Sequence, residues 1–584
     1  MTELLRAPAP PAGCIARAQR LRRLSPVTLV AAVVALVLAA LVAYPLITTL
    51  VHLADGNLSS ARPGETVWSV MASSQTLTAL WHTAVLVAAG GGLALLAGAM
   101  LAWLNERTDA RIGWAAAVLP LVSMFVPALA SAIGWVFLGD PRVGLVNILL
   151  RSLLARLGLH LTSGPLSIYT WYGLIFTYAV YLVPFAYLMM SNGLQAMDPA
   201  LEEAGRTSGA SVWKIFARVS LPSQAPALGS ASLIVLTMGF ALYAIGVIIG
   251  TPSGVSTLPV LIVNDVTQAY PADLVGAVGC SIPLIVIVAA AWYLQRRALG
   301  GQDQSYATIS GKSSRVSAVR MGRWRWPSRL AMILYLFFAA VLPFLGLLMV
   351  SLEPFWNADV QWGRMGFGNY SGMLDLAEVR QGLHNSIVLG VVGALIAVVA
   401  SVLVSQLTEL GRSRGWRVVD GLTKLPAAIT HIIMAIGFII AFAGGPFWWE
   451  GTSTILLIAY LVLYFPQAAF FASAGMQQIG RPLIEATTVN GAGPGKRLWR
   501  VIIPLMAPSL IASWALVFVL ITGDITASVM LSGANTPVIG FVMLDQWSDG
   551  NFPQIAALGV LMTVISTAVV LIALAVRNRF RLDR

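Results

Sequence analysis

Twelve mostly apolar stretches, each about twenty residues or longer, recur along this chain and leave it few ways to fold. They lie near 26–51, 82–104, 113–138, 166–193, 225–250 and 273–294, then near 329–351, 384–409, 420–443, 452–474, 507–531 and 554–576. A backbone exposed to lipid must satisfy its own hydrogen bonds, so each stretch is expected to be a helix. The first, Pro26 to Val51, is longer than the ~7–15 residues of a signal-peptide core and reads as a retained span. Only 10% of the 584 residues are charged and mean hydropathy is +0.81, where soluble chains carry about a quarter charged residues. The expected fold class is an all-α polytopic membrane protein.

Polar interruptions divide the chain. A basic, Pro/Ala-rich tail covers 1–25, a Ser/Gly/Arg/Lys-rich linker covers 295–328, and a short basic tail covers 577–584. Between them lie two transmembrane halves of six spans, 26–294 and 329–576. Lys and Arg are retained on the cytoplasmic side. With both termini inside, only Arg62, Arg142, Arg151, Arg156, Arg364 and Arg380 of the 36 basic residues fall outside. The net charge of +12 is therefore read as membrane orientation and not as a nucleic-acid footprint.

The halves are a tandem, parallel repeat. Leu201–Pro222, LEEAGRTSGASVWKIFARVSLP, superposes without a gap on Leu483–Pro504, LIEATTVNGAGPGKRLWRVIIP, after a shift of 282 residues. Glu203 falls on Glu485, Ala204 on Ala486, Gly209 on Gly491, Lys214 on Lys496 and Pro222 on Pro504. Upstream, Pro184 falls on Pro466 and Gly193 on Gly475 at the same offset, whereas Thr83 matches Ser386 at 303. The first half thus holds about twenty extra residues, placed within 139–165. That amphipathic segment is expected either to lie along the outer interface or to be a plain connecting helix.

Each repeated stretch is a polar island. In the first, Asp198-Pro199 starts a helix, because the carboxylate can cap and Pro suits the first turn. Glu202 and Glu203 sit in an early turn, where the helix dipole favours them. Gly209 permits a sharp turn into a second helix, Ser211 to Ser220. Val212, Ile215, Phe216 and Val219 form an apolar stripe on it, and that stripe is expected to enter a partner's groove.

Glu-Ala, a Gly six residues after the Glu, and Leu-Pro or Ile-Pro ending thirteen beyond that Gly resemble the EAA loop of bacterial ATP-binding-cassette importer permeases. The resemblance covers about 78–293 and 380–575. It departs at Gly205 and Thr487, where the motif has Ala, and at Val219 and Val501, where Ile is usual. It implies a type I importer fold in the bacterial cytoplasmic membrane, and a coupling helix in each half that docks on one subunit of an ATPase homodimer. Glu203, Ala204, Gly209 and Lys214, with Glu485, Ala486, Gly491 and Lys496, would make that contact. It also implies a solute-binding protein outside, and ATP with magnesium on the partner alone. The run from Pro165 to Ser211 most resembles fused ferric-iron permeases, with thiamine, polyamine and phosphonate permeases near, so the solute stays open.

Other chemistry is thin. Gly311-Lys312-Ser313 and Gly495-Lys496 lack the rest of a phosphate-binding loop. Cys14 and Cys280 lie far apart, and no two of the five histidines are four residues apart. These spacings point to no metal site and no catalytic centre. Tyr169, Tyr172, Tyr178, Tyr181 and Tyr187 read as belt and packing residues rather than ferric ligands. Asp524 is expected inside a span, ~25 Å from its cytoplasmic start. It is either a residue of the translocation path or a locally paired structural acid. A self-sufficient secondary transporter is the rival reading, although such proteins commonly show inverted repeats and mid-membrane ion sites.

Overall fold

A computed structural model describes residues 26–112, 126–299, 319–410, 414–479, 483, 486–487 and 489–582. Among the described residues nine helices are long and apolar enough to cross a membrane. Two bent pairs, Val212–Ser223 with Ala225–Phe240 and Val418–Ala427 with His431–Phe442, bring the number to eleven if each pair is one span. The remaining expected span, 113–138, is described only from 126 onward, and Ala128–Gly139 is helical. The fold is all-α.

Equivalent helices recur with the same lengths. Ser74–Arg107 matches Ala377–Leu410, 34 residues each, and Ala128–Gly139 matches His431–Phe442, 12 each. Trp171–Ala196 matches Ser453–Gln478, 26 each. The Thr83 hydroxyl accepts the Leu258 N–H at 3.0 Å, and the Ser386 hydroxyl accepts the Ile539 N–H at 2.8 Å. The repeat is therefore structural at hydrogen-bond detail. Between Gly139 and Trp171 the first half carries its extra segment, the helix Leu145–Arg156, of which only Asn147 is buried. The Asn147 amide donates to the carbonyls of Asp140 and Leu166 and accepts the Leu166 N–H, which ties the segment down.

The halves exchange their first helices. Pro26–Asp55 packs on Ala377–Leu410 and His431–Phe442 of the second half, with Pro45 against Gly437. Reciprocally, Leu342–Leu352 packs on Ala128–Gly139 of the first half, with Pro343 against Gly134. Each contact is a proline opposite a glycine, with no room for a side chain at Gly134 and little at Gly437, which lets the helices approach closely. Gly98 serves the same end within the first half, where an added Cβ would lie 2.7 Å from the Ala186 Cβ.

Three expected spans are broken, and of these 420–443 turns by 110° between Val418–Ala427 and His431–Phe442. The apolar runs 225–250 and 507–531 are each interrupted near their far end. Ala225–Phe240 is followed by a break at 241–242 before Tyr243, and Ile503–Thr522 by a break at 523–525 before Thr526–Leu531. Apolar character runs straight through both breaks, so hydropathy does not register them.

Candidate functional site

The two islands fold alike where both are described. In the first, the Asp198 carboxylate accepts the Ala200 N–H at 2.9 Å and starts the helix Ala200–Thr207. Gly209 has φ 75° and Gly491 φ 73°, a left-handed conformation that costs glycine little and other residues more. Ala210 N–H donates to the Gly205 carbonyl at 3.1 Å, and Ala492 N–H to the Thr487 carbonyl at 3.0 Å. This is the same helix-ending cap in both copies. A single π-helical turn follows in each, Phe216–Ser220 and Leu498–Ile502.

Both islands lie at one end of the bundle. The first meets the end of Ser74–Arg107, beside Arg329, whose guanidinium donates to the carbonyls of Asp109 and Ala110. From there Gly322–Leu352 leads to the opposite end, where Asn369 holds the Ser351 and Glu353 carbonyls. Ala377–Leu410 returns, and its Val402 clusters with Leu498 and Ile502 of the second island.

Glu203, Ala204 and Lys214 are exposed, as are Ala486 and Lys496. Gly209 and Gly491 form the exposed turns. Glu485 lies outside the described residues. The apolar stripe is not free for a partner. Ile215 is fully buried, Val212 and Phe216 pack on the body's own core, and Val219 lies against the first helix of the island beside Gly205. A stripe in a polar island reports that a face is covered but not by what, and here the same chain covers it. The outward faces are unequal: Trp499 and Val489 are 70% and 87% exposed, where the first copy has Ala217 and Thr207.

The structure adds a buried ion pair that sequence reasoning missed. Arg107 Nε donates to Glu202 Oε2 at 2.9 Å, and both side chains are almost wholly enclosed. Glu202 Oε1 accepts the Ser220 hydroxyl at 2.6 Å and the Trp103 indole N–H at 3.2 Å. The partners lie 95 residues apart, and the only local signal was a second acid beside the motif glutamate.

Asp524 is not inside a helix but in the break after Thr522. Its Oδ1 accepts the N–H groups of Ala527 and Ser528 at 2.9 and 3.0 Å and so caps Thr526–Leu531. Oδ2 accepts the Tyr464 hydroxyl at 2.7 Å, with His431 Nδ1 at 3.8 Å. Beside it, an added Cβ at Gly523 would lie 3.6 Å from the Pro127 Cβ, so the break faces the other half. The tyrosines 169, 172, 178, 181 and 187 serve separate contacts: Tyr178 donates to the Leu242 carbonyl, Tyr187 accepts from Asn105, and Tyr172 is exposed. Among the described residues no three His, Cys, Asp or Glu side chains gather in a metal-binding group.

Comparison with known proteins agrees with this duplication. A family model described as "Binding-protein-dependent transport system inner membrane component" matches residues 91–298 and again 411–581. The chain is 23% identical over 416 residues to the ferric transport system permease protein FbpB of Actinobacillus pleuropneumoniae, which covers 69% of this chain and 58% of that protein. It is 28% identical over 230 residues to the putative 2-aminoethylphosphonate transport system permease protein PhnV of Salmonella paratyphi A, covering 38% of this chain and 84% of that one. A bacterial ABC transporter involved in alginate import is similar over 44% of this chain and 94% of its own, at 18% identity and TM-score 0.37. The chain thus spans little more than half the length of the ferric relative. Since the two matched stretches together cover more than half of its residues, the chain belongs to the family of binding-protein-dependent transport system inner membrane components.

Proposed function

We propose that this chain is the membrane permease of an ATP-driven importer, supplying both transmembrane halves itself. A pair of identical ATPase subunits would clamp the island end, and a solute-binding protein would deliver its cargo at the other. ATP and magnesium would reside on the ATPase, and the chain would carry no catalytic centre. The observation that carries this reading is the pair of islands, capped by the same turn, presenting Glu203, Ala204, Lys214, Ala486 and Lys496 at one end of the bundle. Only a partner that binds twice on that face makes use of two such copies. ATP-driven closure would draw the two elements together and bias the halves between two arrangements. The bacterial cytoplasmic membrane, with both termini inside, is the orientation that the basic residues favour. Ferric iron is the first solute to test, because the ferric permease is among the relatives matching most of the chain; thiamine, polyamine and phosphonate follow.

Purification from native membranes tests the proposal. An ATPase should accompany the wild-type chain and be lost from the Glu203→Lys, Glu485→Lys double variant. Solute uptake at full rate in cells without that ATPase would instead establish a self-sufficient transporter.

A further inference from the structure

We infer that the Arg107–Glu202 pair is the rigid link through which movement of the first coupling element reaches the membrane helices, and that the equivalent positions of the second half carry no charged pair. The inference rests on the importer reading and adds to it a positioning pair and an asymmetry between the halves.

The pair joins three segments at one point. Arg107 is the last residue of Ser74–Arg107, Glu202 lies in the first helix of the island, and Ser220 ends its π-helical turn. Arg107 Nη1 also donates to the Met197 carbonyl at 3.4 Å, just before the island. One turn earlier, Trp103 packs against Phe216 and Trp213 of the second island helix, with ring centroids at 5.0 and 6.1 Å. The backbone of Arg107 engages the linker ahead of the second half as well: its carbonyl accepts the Val319 N–H at 2.8 Å. Trp213 in turn meets the edge of Trp324 at 5.7 Å.

Such a joint behaves differently from an apolar helix contact. Apolar faces can slide while keeping most of their burial. Separating Arg107 from Glu202 would leave a charge enclosed without its counterion, and that is costly. The island and the Ser74–Arg107 helix must therefore move as one body. At the offsets of 303 and 282, the positions of Arg107, Glu202, Ser220 and Trp103 are occupied in the second half by Leu410, Ile484, Ile502 and Gln406. No ion pair can form from those residues.

The test uses the complex with its copurifying ATPase, in lipid nanodiscs. Spin labels at Tyr172→Cys and Gln381→Cys, both toward the end opposite the islands, report the separation of the halves with and without ATP and magnesium. In the labelled but otherwise unaltered chain ATP should shift the distance distribution. Arg107→Leu with Glu202→Ile copies the second half and should keep the ATPase bound while the shift disappears. Glu202→Gln, nearly isosteric and able to keep the Ser220 contact, should reduce the fraction shifted about tenfold. Arg107→Lys, which retains the charge, should restore most of it. An unchanged shift in either charge-removing variant overturns this inference alone. Absence of any ATPase, or of any shift in the parent chain, overturns the importer reading and this inference with it.

Discussion

Glu202 and Glu203 are neighbours with opposite situations. Glu203 is exposed on the outward face of the island, whereas Glu202 is enclosed against Arg107. Removing one member of a buried pair costs about 3–5 kcal/mol, because the other charge is left uncompensated. An exposed side chain usually costs less than ~0.5 kcal/mol. Glu202→Ala should therefore lower the thermal unfolding midpoint clearly, while Glu203→Ala should leave it unchanged and weaken ATPase retention. Equal midpoints for the two variants would contradict the assignment of burial.

Glu353 offers a second test at this scale. It is buried just beyond Gly322–Leu352, its Oε1 has no hydrogen-bond partner, and burial raises its carboxyl from 4.5 to about 7. The folded chain then keeps a proton that the unfolded chain releases above 4.5. The stability it contributes is full below that value and is lost as pH rises toward about 7. Glu353→Gln should flatten the pH dependence of the unfolding midpoint over roughly pH 4.5–7, and an unaltered slope would exclude this origin. At the residue scale, the turn glycines Gly209 and Gly491 were legible because short-range geometry sets them. Arg107 was not, since nothing local marks an arginine whose partner lies 95 residues away.

Among elements, apolar runs located the helices and missed their interruptions. Hydropathy reports where a segment prefers to be; it carries no information on whether the backbone continues as one helix. The break at 523–525 is held by Asp524, which caps Thr526–Leu531 and receives the Tyr464 hydroxyl. In the first half Leu242 stands at that position, and Tyr178 donates to its carbonyl instead. Asp524 thus makes a capping arrangement that Leu242 does not make in the first half. Asp524→Asn retains the carbonyl acceptor for the cap and should cost about 1 kcal/mol, while Asp524→Leu should cost about 1–3 kcal/mol, because Tyr464 and two backbone N–H groups lose their acceptor. Unfolding of the variants in detergent measures both. A leucine variant as stable as the parent would remove the capping role. The apolar stripe of the first island was visible in the sequence as a buried face, but its covering surface was assigned to a partner when it belongs to the chain itself.

For the whole molecule, the tandem repeat predicted two similar halves but not that they exchange their first helices. Hydrophobic burial does not drive helix association in lipid; close packing does. The exchange is written only in single positions such as Pro45 opposite Gly437 and Pro343 opposite Gly134, which look unremarkable in a chain with 30 prolines and 53 glycines. Its consequence is that each first helix bridges to the other half, with Leu342–Leu352 packing on Phe552–Leu582 of its own half as well. The central claim is that two equivalent elements at one end are gripped by an external ATPase. Lys214→Cys and Lys496→Cys, placed singly and treated with a short bifunctional thiol crosslinker in membranes, test it most directly. Each should form a covalent product with the same ATPase subunit type, and each should be shielded from a membrane-impermeant reagent added outside intact cells. Labelling of either cysteine from outside, or crosslinking from only one island, would contradict the account.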